Sequence, residues 1–171
     1  SEAFPVLYIP VDTPFALNDE QVLTLAWHVD IGGLIIIDNI AREDDLDHIG
    51  RSVRETMRKF IGPRWSSRRL PKNHILYHCF FDFDDGAPPD NTGSKVPGAA
   101  GNDLTGYFNG TELVGVYCPQ GYGRLWADQR NEAQCKIGVN MVVFALTRYS
   151  EWYIPETGEI RYVAKQAHKS W

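Results

Sequence analysis

A chain of 171 residues, 43% hydrophobic and 23% charged, has the length and composition of one globular domain, alone or with a small appendage. Its net charge of −5, with no basic cluster larger than Arg68-Arg69 plus Lys72, excludes a nucleic-acid partner held by a basic patch. No apolar run reaches the length of a membrane span, and three scattered cysteines (Cys79, Cys118, Cys135) form no CxxC zinc or redox motif.

Residues 4–11, FPVLYIPV, make an apolar run of strand length closed by Asp12-Thr13-Pro14. Asn18 reads as the N-cap of a helix with Asp19 and Glu20 at its positive end. Val22, Leu23, Leu25, Ala26 and Val29 supply an apolar face, and Gly32-Gly33 ends the helix. Strand 34–38 follows directly. Strand, helix and strand make a βαβ unit, whose two strands are expected to be parallel and buried on both faces. In the next helix Leu46, Ile49, Val53, Met57 and Phe60 step along one side, and Gly62-Pro63 stops it. Asp44, Asp45 and Asp47 crowd its start, as the helix dipole favours.

LPKNHILYHCFFDF (70–83) reads as a strand or edge segment, and residues 84–103, with four glycines and three prolines, as a long loop. Asn109-Gly110 is a hairpin-turn signal leading into a strand that ends at Cys118. Residues 131–149 suit helix or strand. Their length and the spacing of Ala133, Ile137, Met141 and Phe144 favour helix. Residues 151–163 alternate around Glu156-Thr157-Gly158 and predict a β-hairpin.

The stretch GGLIIIDNIARED (32–44) carries the main functional question. Asp38 stands where a buried strand surfaces, and Asp12 stands at the end of the strand expected beside it. Two carboxylates at the carboxyl edge of one sheet could hold a cation or act as acid and base. Each could equally cap the loop after its own strand. His74 is a further weak catalytic candidate. On an extended chain His74 and His78 lie about 13 Å apart, too far to share one metal. No Cys or Ser occupies the strand end at Asp38, and Pro119 follows Cys118, so no nucleophile on a sharp strand-to-helix turn is written here. GYGRLWADQ (121–129) sets Tyr122, Arg124 and Trp126 together, either as a ligand platform with Asp38 and Asn39 or as plugs at the sheet edge.

The order PVLYIPV, DEQV, GGLIIID, LPKNHILYH and GVNMVVFALT resembles the bacterial domain of unknown function 4159 family over residues 4–149. That family is grouped with the class I glutamine amidotransferase-like superfamily. The resemblance implies an α/β fold with a flavodoxin-like, mostly parallel sheet flanked by helices, and no amidotransferase Cys-His-Glu triad. Members carry a His after the first of these strands and an Asp-Asp pair after the second. Asp38 and His74 match the family pattern, whereas Asp12 and Asn39 depart from it.

Members also have residues before the PVLY strand that contribute the first strands. This chain starts almost at that strand, without an initiator Met or a signal-peptide pattern, so the expectation is that either an upstream segment is missing or a partner chain or the hairpin 151–163 covers the sheet edge. The expected organisation is an α/β domain over 1–149 and a C-terminal hairpin and tail over 150–171. The expected function is a non-catalytic or degenerate amidotransferase-like module that binds a ligand, a protein partner or a second copy through a sheet edge, without cofactor or metal. The alternative is a hydrolase or metal-dependent enzyme using Asp12, Asp38 and His74. The resemblance points to the bacterial periplasm or envelope, with the cytoplasm as the other possibility.

Overall fold

The run from Leu34 to Asn39 is apolar except at its end, and in the structure all six of its positions are buried. Only a strand covered on both faces uses such a sequence. The computed structural model describes residues 4–41, 46–89, 103–128, 130–147, 149–154 and 159–164. Its elements are β1 (Val6–Val11), α1 (Asp19–Asp30), β2 (Leu34–Asn39), α2 (Leu46–Ile61), β3 (Trp65–Arg69), β4 (Thr105–Asn109), β5 (Glu112–Cys118), α3 (Glu132–Thr147), β6 (Tyr149–Ile154) and β7 (Glu159–Ala164).

The first five strands form a single sheet in the order β1-β2-β5-β4-β3. β1, β2 and β5 are parallel, while β4 runs antiparallel to both of its neighbours. This is a mixed α/β fold with a mostly parallel open sheet. Leu25 and Val29 of α1, with Ile49, Val53, Met57 and Phe60 of α2, pack on the face that carries Ile35 and Ile37. Ile137, Met141 and Ala145 of α3 cover the opposite face, which carries Leu34, Ile36, Val116 and Cys118.

Local signals set the helices. Asn18 accepts a hydrogen bond from the Gln21 amide while the Gln21 side chain accepts one from the Asn18 amide, a complete capping box. The expected apolar face of α2 is buried: Ile49, Val53 and Met57 have no exposure. Asp44 and Asp45 lie outside the described residues, as does the side chain of Asp47.

Segment 70–83, expected as a strand or edge segment, forms no strand. It is irregular, with a single 3-10 turn at Ile75–Tyr77, and the strand lies just before it at β3. The buried amide of Asn140 on α3 donates to the carbonyls of Leu76 and Phe81 and accepts from the Phe81 N–H. One side chain thus meets backbone demands that a neighbouring strand would otherwise meet. β3 escaped the sequence reading because its residues, WSSRR, have no apolar alternation, as suits an edge strand. β4 was also missed, although the Asn109-Gly110 turn requires a strand before it.

β6 and β7 form the expected hairpin and pair with each other in a two-stranded sheet separate from the five-stranded one. Its expected turn residues, Glu156 to Gly158, lie outside the described residues, as do residues 90–102 of the long loop.

Candidate functional site

The carboxyl ends of β2 and β5 lie side by side, with Asp38 in register with Cys118. The chain leaving β5 turns back over them. Gly121 adopts φ +70°, the left-handed conformation that favours glycine, and starts a 3-10 turn over Tyr122–Arg124. This aims two successive backbone N–H groups at Asp38. Tyr122 N–H donates to its Oδ1 at 3.0 Å and Gly123 N–H to its Oδ2 at 2.6 Å. The Tyr8 hydroxyl from β1 donates to Oδ2 at 2.8 Å. Convergent N–H groups of this kind are a backbone anion nest, and here a carboxylate of the same chain fills it.

The electrostatics follow from burial. Asp38 is 1% exposed. Burial raises its pKa, and the three hydrogen bonds together with the charge of Arg124 offset part of that rise. Burial and the Asp38 charge push the Tyr8 phenol well above its ordinary value, so it stays a neutral donor. Burial and Asp38 also raise Cys118, which leaves an inert thiol rather than a nucleophile.

Of the proposed ligand set, Asp38, Tyr122, Arg124 and Trp126 gather at this edge, while the Asn39 side chain turns to the opposite face with Tyr117. Asn39 donates to the Tyr117 hydroxyl and accepts from the Ala41 N–H. Arg124 is exposed and donates to the carbonyls of Ala41 and Gln120. Trp126 donates from its indole N–H to the Gln134 carbonyl, and its ring lies 5.4 Å from that of Tyr8. Tyr122 is fully buried. Arg124, the exposed ring of Tyr8 and the half-buried ring of Trp126 are therefore the parts of this cluster that face outward.

Asp12 is not brought to Asp38. Asp38 lies on the α3 face of the sheet with Tyr122, whereas Asp12 lines a hollow of about 210 Å³ on the α1–α2 face, beside Val11, Leu25, Ile37 and Phe60. β1 ends at Val11, so the alternation that puts Tyr8 and Pro10 on the Asp38 side does not extend to Asp12, which belongs to the link toward α1. His74 is engaged elsewhere. It caps the turn at Ile75–Tyr77 by accepting from the Leu76 N–H, and its ring packs 5.8 Å from Phe144. His78 bridges the Lys72 carbonyl and Asp82. Among the described residues no three His, Cys, Asp or Glu side chains gather where they could hold a metal ion.

Sequence reasoning missed Tyr8 and Gly123. No local signal marks either, because both depend on the β1–β2 register and on how the loop after β5 returns. No described helix is long and apolar enough to cross a membrane. The family model described as Domain of unknown function (DUF4159) matches residues 2–146. Among curated proteins none matches the chain.

Proposed function

The chain belongs to this DUF4159 family, and on that footing we propose that it is a non-catalytic or degenerate amidotransferase-like domain acting as a binding or assembly module. The observation that carries the reading is the Asp38 carboxylate, buried and holding two backbone N–H groups and a phenol of its own fold. A general base needs a free lone pair and a general acid a free proton directed at a substrate, and this carboxylate is already engaged by three donors of its own fold. In this reading the sheet is the core of a flavodoxin-like fold of the class I glutamine amidotransferase-like superfamily, in a protein of the bacterial envelope.

Edge chemistry supports association. β1 has β2 as its one neighbour in the five-stranded sheet. The carbonyls of Pro5 and Val11 accept from Leu34 at the start of β2 and Ile40 just past its end, so the intervening even-numbered residues turn their backbone groups outward. Val6 and Tyr8 therefore offer donors and acceptors at the open edge. Pro10 offers only an acceptor, which ends pairing there. Phe4, Leu23 and Trp27 are also exposed, at 68%, 70% and 49%.

Light scattering on the full chain, on the chain shortened to residues 1–148 and on Trp27→Glu tests this reading. Association that either change weakens supports it, and a monomer throughout overturns the assembly reading. Calorimetric titration with divalent cations tests the alternative. Micromolar binding abolished by Asp38→Ala favours a metal-dependent enzyme.

A further inference from the structure

The hollow beside Asp12 is a different site from the Asp38 cluster, and its construction is specific. Its floor is the carboxyl end of β1 and β2, given by Val11 and Ile37, and its walls are Leu25 of α1 and Phe60 of α2. The link from β1 to α1 passes over it and is fastened to α2, where the Phe15 N–H donates to Ser52 Oγ, itself bonded to the Ile49 carbonyl. Among the described lining residues the polar side chains are those of Asp12, Thr13 and Thr56. Asp12 is exposed, and among the described residues none pairs with its carboxylate. Thr56 is buried, with 4% exposure.

We propose that this hollow binds a small organic amine, its apolar body lying on Val11, Leu25, Ile37 and Phe60 and its ammonium group meeting Asp12. The volume suits one ring with a short side chain, since a cavity of about 150 Å³ admits benzene. An apolar lining with a single carboxylate at the mouth selects charge and shape together. An anion of the same shape would meet Asp12 with like charge, and a neutral analogue would lose the ion pair. The site goes beyond the assembly reading above and stands whether or not the chain associates.

Chemical-shift mapping on the labelled protein tests it, with benzylamine as the probe and benzyl alcohol and benzoate as its neutral and anionic counterparts. Benzylamine is expected to shift the amides of Val11, Leu25, Ile37 and Phe60, and to bind about fivefold more tightly than benzyl alcohol. Benzoate is expected to leave them unmoved. Asp12→Asn is expected to erase the preference for the amine while leaving the melting temperature unchanged. Thr56→Leu, which grows a side chain into the hollow, is expected to abolish binding of both. Should that variant not fold, the exposed Asp12→Asn change decides the matter alone. No shifts at these amides with about 10 mM benzylamine overturn the site. Benzylamine affinity unchanged in Asp12→Asn overturns the assignment to an amine.

Discussion

The two aspartates that look alike in the sequence are opposites in the fold, and substitution separates them. Asp38→Ala leaves the Tyr122 and Gly123 N–H groups without their acceptor, and is expected to cost about 2–4 kcal/mol in urea denaturation. Asp12→Ala, at an exposed position, is expected to stay within about 0.5 kcal/mol. Equal costs would show that Asp38 does not hold the loop after β5. Two histidines carry a pH signature. Burial lowers the pKa of His28 and, with help from the Arg68 charge, that of His74. A folded pKa below the unfolded value of about 6.5 contributes stability that is present above that value and lost as pH falls below it. His78, raised by the Lys72 carbonyl and then Asp82, acts in the opposite sense, and so does the raised carboxyl of Asp38. The check is therefore a difference. His28→Gln should lose less stability than the parent between about pH 7 and 5, and parallel curves would refute the role given to burial.

At the scale of elements, α1 and α2 were legible because each carries its own start, face and stop, whereas α3 was read from length and spacing alone. The Asn18 capping box needs nothing outside residues 18–21, and Asn18→Ala is expected to cost about 1 kcal/mol. The buried face of α2 came from a period alone, and Val53 has no exposure. Val53→Asp would bury an unpaired charge and is expected to abolish cooperative folding, seen as loss of a sigmoidal melt. A soluble, cooperatively melting variant would show the helix docked by another face. Strands were less legible. β2 was plain because both its faces are covered, whereas β3 was hidden because an edge strand of serines and arginines has no pattern to read. Segment 70–83 misled for the converse reason. Leu76 and Tyr77 are fully buried, but as a knob held by Asn140 rather than as part of a sheet.

At the scale of the molecule, the family match ends at residue 146, and among the described residues β6 and β7 pair only with each other. The chain shortened to 1–148 is therefore expected to keep its cooperative melt, with a shift of less than about 4 °C, whatever happens to its association. A large loss of stability would show that the hairpin completes the fold. The sequence by itself determined the βαβ unit, the capped helices, the hairpin turn at Asn109-Gly110 and the amphipathic face of α2. Each of these is written in residues a few positions apart. It also held Asp38, Tyr122, Arg124 and Trp126, because a strand ending in an aspartate and a glycine-rich turn after another strand are both local features. Only the tertiary structure decided what those residues do. The β1–β2 register brings the Tyr8 hydroxyl to Asp38, the return of the loop after β5 fills the backbone nest with that carboxylate, and the link leaving β1 after Val11 carries Asp12 to the α1–α2 hollow instead. Register and facing arise between segments distant in the chain, and a shift of one residue reverses them, so no local stretch of sequence records them.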